Sequence, residues 1–437
     1  MRISVIGLGY LGAVHAAALA ASGHDVVGVD VDPEKVGALA LGKAPFFEPG
    51  FDGLLADVIR SGRLEVGTDV GAIAGCAVHF VCVGTPQAAG SPAADLRFVD
   101  AAVDSLLPHL GAGDVVVGKS TVPVGTAGRL AEVVAAAVPG AVLAWNPEFL
   151  REGHAVDDTL HPDRIVYGVP GGEAGERATR LLDEVYEAPL AEGMPRIVTD
   201  YPTAELVKVA ANSFLATKIS FINAMAELCE VAGGDVTQLA DAIGHDARIG
   251  RRFLNAGLGF GGGCLPKDIR AFTARAEELG AGEAVAFLGE VDRINNRRRS
   301  RMVELTAEVL GGSVTGRRVA VLGAAFKPES DDVRDSPALD VATRLAEAGA
   351  DVVVTDPQAV PTARRRAPQL ACTEDLDEAL RGADVVLLLT EWRQFRDLDP
   401  VRTGELVAHR TVLDGRQALD RAVWEAAGWR YRALGRA

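Results

Sequence analysis

Cys264 stands in the segment Gly257-Leu258-Gly259-Phe260-Gly261-Gly262-Gly263-Cys264-Leu265-Pro266-Lys267-Asp268, where glycines crowd one thiol close to a lysine. Residues without a Cβ let a bulky substrate and exposed backbone amides approach the sulfur, and a nearby cation favours the thiolate. Cys264 is therefore the candidate nucleophile. The remaining cysteines, Cys76, Cys82, Cys229 and Cys372, lack such surroundings and read as buried, inert thiols. Five cysteines without CxxC spacing argue against a disulfide framework and against a zinc site, so a reducing cytoplasm and no metal are expected.

Two other patterns carry chemistry. Gly7-Leu8-Gly9-Tyr10-Leu11-Gly12 matches GxGxxG directly after an apolar run at residues 2–6 and before a helical stretch at 13–21, and Asp30 closes the next apolar run at 25–29. In that context Gly7 permits a tight turn, Gly9 lets the backbone approach a pyrophosphate, and Gly12 allows close helix-sheet packing. Asp30 suits ribose hydroxyls and repels a 2′-phosphate, which favours NAD over NADP; Lys35 is a countervailing charge, and FAD is the competing dinucleotide. Lys208 and Asn212 fall four apart in a stretch that has no Gly or Pro from residue 204 to 232. On a helix they share a face and can meet one oxygen of a reacting carbon.

The elements that must position these groups follow from periodicity. Residues 2–6, 25–29, 77–83, 114–119 and 142–145 read as strands separated by helical stretches, which predicts a dinucleotide-binding Rossmann domain over residues 1–200. The long helix that ends at Gly233-Gly234 opens a helical domain, 201–310, expected to serve substrate binding and dimerisation. A second strand-loop-helix-strand pattern begins near Arg318 and ends at Asp356, so residues 311–437 read as a second Rossmann-like lobe whose first loop lacks the glycine fingerprint. The predicted class is α/β, with two Rossmann-like doubly wound domains joined by a central long helix and helical domain.

Composition narrows the function classes. With 437 residues, 48% of them hydrophobic and 24% charged, the chain is long enough for two or three cores. A formal net charge of -16 without a basic stripe disfavours nucleic acid and anionic membrane as partners. The run Arg297-Arg298-Arg299 reads as a solvated helix face. The start MRISVIGLGY enters a strand at once, and no apolar run is long enough to span a bilayer, so neither export nor membrane anchoring is expected.

Six separated strings, in order, carry a resemblance: GLGYLG at Gly7, KSTVPVGT at Lys119, NPEFLREG at Asn146, the Lys208/Asn212 helix, GFGGGCLPKD at Gly259 and FKPESDDVRDSP at Phe326. With them the chain resembles the UDP-glucose/GDP-mannose dehydrogenase family over nearly its whole length. The resemblance implies a four-electron oxidation of a sugar CH2OH to a carboxylate, with NAD used twice and Cys264 holding the intermediate as thiohemiacetal and then thioester. It further implies that Lys208 stabilises alkoxide-like states, that Asn212 donates a hydrogen bond, that Asp268 with Thr121 positions or activates water, and that Glu148 takes part in thioester hydrolysis. Cofactor contacts implied in the same way are Gly7, Gly9, Tyr10, Leu11, Gly12, Asp30, Lys35, Thr85, Thr121, Glu152, Gly263, Lys267 and Arg334. For the nucleotide sugar they are Glu148, Phe149, Leu150, Arg151, Glu152, Lys208, Asn212, Phe253, Leu254, Asn255, Ala256, Gly257, Gly261 and Lys327, with Arg248 reaching a partner subunit.

UDP-glucose is the substrate this resemblance favours, with GDP-mannose or another nucleoside-diphosphate sugar as alternatives. Two other classes compete: a non-catalytic nucleotide-sugar-binding subunit, which the intact Cys264, Lys208 and Asn212 set disfavours, and a single-step hydroxyacid dehydrogenase, which needs neither Cys264 nor the last lobe. A homodimer or higher even oligomer is expected, because the long helix is apolar on more than one face through Leu206, Val209, Phe214, Leu215, Ile219, Phe221, Ile222 and Met225.

Overall fold

The first apolar run forms β1 (Arg2–Ile6), the GxGxxG turn leads into helix α1 (Tyr10–Ala21), and the next run forms β2 (Asp25–Val29). This βαβ unit belongs to a computed structural model that describes residues 1–436. The chain divides into two compact units, one of Met1–Ala211 with Arg270–Gly280 and one of Asn212–Ile269 with Ala281–Ala437.

The first unit continues with β3 (Leu64–Gly67), β4 (Val78–Val81), β5 (Val115–Gly118), β6 (Val142–Trp145), β7 (Ile165–Gly168) and β8 (Arg196–Thr199). The sheet order is β3-β2-β1-β4-β5-β6-β7-β8. β1 to β6 pair in parallel, and the order reverses between β1 and β4, where open α/β sheets bind ligands beyond the strand ends. Both faces are buried: Val5, Phe80 and Val117 pack in one core cluster, and Ile6, Val81 and Val116 in another. That two-sided cover is why these strands read as continuous apolar runs instead of alternating ones.

Helix α1 is buried along Gly12 to Ala20, and its Ala-rich sequence suits such close packing. At Gly12 an added Cβ would lie 1.8 Å from the Gly7 carbonyl oxygen, so only glycine fits. The doubly wound sheet expected from the sequence is not wholly parallel: β7 meets β6 antiparallel at Trp145 and Gly168. Between β6 and β7 the connection holds only the short helix Ala155–Leu160.

The long helix runs from Tyr201 to Ala232, and Gly233 follows with φ +76°, a left-handed stop for which glycine is suited. In the second unit β9 (Arg318–Leu322), β10 (Asp351–Thr355), β11 (Ala371–Thr373), β12 (Val385–Leu388), β13 (Thr411–Asp414) and β14 (Arg430–Ala433) form a parallel sheet of order β11-β10-β9-β12-β13-β14, which repeats the β1 to β6 arrangement. Its counterpart of Asp30 is Asp356. That carboxylate accepts from the amides of Ala324, Ala325, Gln358 and Ala359 and from the Trp392 indole at 2.8–3.0 Å, so protein donors fill its lone pairs.

The arginine run departs from the sequence reading. Arg298 is 0% exposed and Arg299 4%. Consecutive residues on the helix Phe287–Val309 point about 100° apart, so Arg298 turns to Glu230 at 2.8 Å and Arg299 to Asp335 at 2.9 Å, while Arg297 stays at the surface. Half-buried carboxylates, absent from the local sequence, draw two of the three charges inward.

Candidate active site

The dinucleotide edge is built by the turn before α1. Gly7 N–H donates to the Val29 carbonyl at 2.8 Å, which ties the turn to β2, and a Cβ on Gly9 would meet nothing within 4 Å. Gly9 also caps α1 without a side-chain acceptor, which leaves first-turn amides for a phosphate. Asp30 is held at the end of β2: Oδ2 accepts from Leu8 N at 2.7 Å and from Lys35 Nζ at 2.9 Å, and Oδ1 from Asp32 N at 3.0 Å. These groups fit a dinucleotide, with Asp30 buried, oriented and still offering lone pairs. Tyr10 donates its hydroxyl hydrogen to Glu48, and burial and that carboxylate push the phenol far above its ordinary range.

Beyond β4 and β5, Thr85 and Thr121 come together, as Thr85 Oγ1 donates to the Thr121 carbonyl at 2.8 Å. Ser120 Oγ donates to the Val83 carbonyl at 2.6 Å, so the two loops brace each other at the switch point.

The segment after β6 carries the charged centre of this unit. Lys208 is only 5% exposed, and its Nζ lies 3.0 Å from Glu148 Oε1. Glu148 Oε2 accepts from Leu150 N at 2.7 Å, which fixes the carboxylate. A solvated helix lysine is thus excluded for Lys208, whose ammonium is fixed by this pair. The Phe149 ring has the Arg164 guanidinium 3.7 Å from its centroid and the Lys208 ammonium at 5.6 Å. Glu148, Phe149 and Arg164 line a cavity of about 50 Å³ together with Lys119 and Asn146.

Lys119 is a residue whose role the motif match left unread. Its Nζ donates to Asn146 Oδ1 at 2.9 Å and to the Tyr186 hydroxyl at 3.1 Å, and burial, with Lys208 adding to it against Cys82 and Glu148, lowers its pKa to about 8. Asn146 in turn donates to the Val166 carbonyl at 2.9 Å, so the start of NPEFLREG is fixed from two sides. Arg151 is turned away to a two-pronged pair with Asp158 at 2.9 and 2.5 Å. Gly153, next to Glu152, donates its amide to Glu48 Oε2 at 2.6 Å.

In the second unit Cys264 is exposed and immediately precedes the helix Leu265–Glu278, and its carbonyl accepts from Asp268 N at 2.9 Å. A thiolate at that end is favoured by the helix dipole. Asp268 is buried; Oδ2 accepts from Asn212 Nδ2 at 2.7 Å, and Oδ1 lies 3.2 Å from Lys267 Nζ. The structure therefore groups Asn212, Lys267 and Asp268 beside the thiol in sequence. The other thiols are buried as expected except Cys372, which is half-buried on the short edge strand β11; burial pushes Cys82 up to about 12.

The glycine run does not act as the sequence reading supposes. A Cβ on Gly259, at φ +88°, would lie 2.1 Å from Asn295 Oδ1, and one on Gly263 would lie 2.3 Å from the Arg334 guanidinium carbon. The glycines admit neighbouring protein, and this close packing fixes the backbone that leads to the exposed sulfur. Asn295 brackets Phe260 through its N–H and carbonyl at 2.8 and 2.9 Å, and Arg416 donates to the Gly259 carbonyl at 3.0 Å. Neither residue has a local sequence signal, because each acts across a long stretch of chain.

The 253–257 loop begins with Phe253 at φ +66°, a left-handed conformation that is strained for a bulky residue. Leu254 and Ala256 pack their side chains in a core with Ile222 and Ala226, while Asn255 accepts from Arg251 at 2.8 Å and Gly257 N–H donates to Asn223 at 2.9 Å. Lys327 Nζ lies 5.4 Å from the Phe326 ring centroid, and Arg334 forms a two-pronged pair with Asp332 at 2.9 and 2.7 Å. Gly261 sits in the packed run, where its Cβ would be 2.3 Å from the Asp335 carbonyl. Arg248, with a side chain 89% exposed, is paired with Asp246 and joins none of these groups.

Residues 1–189 match the NAD binding domain of the UDP-glucose/GDP-mannose dehydrogenase family, 202–297 its central domain and 320–421 its UDP binding domain. The UDP-glucose 6-dehydrogenase of Rhizobium meliloti is 41% identical, with both chains covered in full, and TuaD of Bacillus subtilis, a UDP-glucose 6-dehydrogenase, is 39% identical over 100% of this chain and 93% of its own. Among solved structures, a UDP-glucose dehydrogenase from Pyrobaculum islandicum aligns with a TM-score of 0.90 at 40% identity, covering 100% of this chain and 98% of that one. A UDP-D-ManNAc dehydrogenase from Pyrococcus horikoshii aligns at 0.86 and 27% identity, covering 100% and 99%. The fold, the dinucleotide edge and these full-length likenesses agree, and the chain belongs to the UDP-glucose/GDP-mannose dehydrogenase family, as an NAD-dependent nucleotide-sugar dehydrogenase.

Proposed function

We propose that this protein oxidises C6 of UDP-glucose from alcohol to carboxylate, giving UDP-glucuronate. The observation that carries the reading is Lys208, buried and held 3.0 Å from Glu148, an arrangement with no purpose on a solvated helix and a clear one beside a developing oxyanion. The full-length likeness to UDP-glucose 6-dehydrogenases selects the sugar. When bound, NAD accepts a hydride from the substrate carbon, once at each of the two oxidation stages.

The chain's own residues do the rest. Lys208 stabilises the alkoxide of the first stage, and Asn212 adds a hydrogen bond. The Cys264 thiolate adds to the aldehyde carbon, and the oxygen takes up a proton to give a thiohemiacetal; loss of hydride and that proton leaves a thioester. Water adds to the thioester carbon, the carbon–sulfur bond breaks, and the thiol is regenerated with the carboxylate. Glu148 assists that hydrolysis, and Asp268 with Thr121 orients the water.

Residues 1–200, 201–310 and 311–437 serve in this reading as cofactor, substrate and dimerisation, and nucleotide-sugar domains. The protein acts as a homodimer in the cytoplasm: Phe214, Phe221 and Leu228 recur every seven residues on the long helix at 67, 50 and 57% exposure, an apolar stripe that suits a second copy. No helix among the described residues is long and apolar enough to cross a membrane. Purified protein given a nucleotide-sugar panel should release two NADH per UDP-glucose; one NADH, or none, refutes the reading.

A further inference from the structure

Glu205 lies in the long helix Tyr201–Ala232, three residues before Lys208, and is 2% exposed. Its two carboxylate oxygens leave the helix sideways: Oε2 accepts from Gly125 N at 2.8 Å and Oε1 from Ala127 N at 2.7 Å. Those amides open the helix Thr126–Ala137, whose own cap residue, Gly125 at φ +98°, offers no side-chain acceptor. The cap is thus supplied by a carboxylate from a remote helix. An anion there satisfies otherwise orphaned N–H groups and meets the positive end of the helix dipole.

The same segment is gripped at neighbouring points. Arg275 Nε donates to the Val124 carbonyl at 2.9 Å, and its charge also acts on Glu205. Thr126 Oγ1 donates to the Pro123 carbonyl at 2.6 Å, and the Thr121 carbonyl is held by Thr85. Residues 121–127 therefore form a braced strap, with Thr121 at one end and the Glu205 carboxylate at the other. One helical turn past Glu205 stands Lys208, bonded to Glu148. Through Glu205, two hydrogen bonds tie the strap to the turn that carries Lys208.

We infer that Glu205 is a positioning residue for the oxidation, a role that rests on the function proposed above: it caps the helix after the KSTVPVGT strap and so sets Thr121 in register with Lys208. Thr121 and Lys208 touch the reacting species in that reading, and Glu205 acts only through them.

The decisive variant is Glu205→Gln, which keeps the volume but turns an amide NH2 toward one of the two backbone donors. With UDP-glucose and NAD, well below the melting midpoint, kcat should fall at least tenfold while both KM values stay within about threefold, and hydrogen exchange at Gly125 and Ala127 should quicken. Glu205→Asp keeps the charge but shortens the reach by one methylene, so it should lie between Gln and the parent. A Gln variant with faster exchange and unchanged kcat overturns the positioning role, as does a loss expressed only in KM. If the Gln variant does not fold, parental kcat in the Asp variant overturns it equally. Failure of the parent protein to release two NADH sinks the reading of function and leaves the clamp to be judged by exchange, where unchanged protection in both variants refutes it.

Discussion

Replacing Lys119 by methionine tests whether a charge in the interior of the NAD-binding unit costs stability as the structure implies. The ammonium is held by two neutral oxygens, those of Asn146 and Tyr186, and burial brings its pKa from 10.5 to about 8. Between those values the unfolded chain still binds the proton that the folded protein has shed, so stability rises with pH across that window. Below it the folded protein bears the whole cost of the buried charge. A gap of about 2.5 at roughly 1.4 kcal/mol per pH unit sets that cost at about 3 kcal/mol, which falls to about 1 kcal/mol at pH 9.5. Methionine carries no charge and fills much of the same space, and Asn146 stays satisfied, since Tyr186 donates to its Oδ1 at 2.6 Å and its Nδ2 donates to the Val166 carbonyl at 2.9 Å. Urea unfolding of both proteins, followed at the transition of this unit, should show the stability difference, methionine minus lysine, shrinking by about 2 kcal/mol from pH 7 to pH 9.5. A difference that stays constant across that range, or grows, refutes the argument that Lys119 is a penalised buried charge.

Cys264→Ala or Cys264→Ser should abolish steady-state formation of the acid and leave NAD binding intact, because only the covalent step is lost; full turnover by the alanine variant in an NADH-release assay would sink the thioester mechanism. Asp30→Ala removes a ribose acceptor and the anchor of the Leu8 amide together, and the kinetic preference for NAD over NADP should drop by about tenfold or more. An unchanged preference would show that Asp30 does not read the ribose. Phe221→Asp places a charge in the exposed heptad stripe and should yield monomers by light scattering; if Arg248 completes the neighbouring site, activity should fall with dissociation, and a fully active monomer speaks against a shared site.

Much of the framework was legible in the sequence because its signals are local. GxGxxG between a strand and a helix, Asp30 after the second strand, and the long helix stopped by Gly233 depend on neighbours within a few turns, where backbone sterics and hydrophobic period act directly. Cys264 stood out for the same reason, and so did Lys208 and Asn212, whose spacing fits one helix face. The reversal of β7 was not legible: the chain between β6 and β7 reads like any other connection, and its direction is settled by where the strand finds an open sheet edge.

Sequence by itself thus determined which segments become strands and helices, where the dinucleotide turn lies, and which residue types are available for the chemistry. Tertiary structure alone decided their states. Lys208 is held on Glu148, Glu205 caps a helix that begins some eighty positions earlier, and Arg298 and Arg299 turn inward to acids on other elements. The glycines before Cys264 admit Asn295 and Arg334, and Asp356 is saturated where Asp30 is not. The physical reason is common to all of these. Burial and charge pairing are properties of which remote segments come to lie side by side, and a residue's pKa, rotamer and donor partners are fixed by that neighbourhood and not by its flanking sequence.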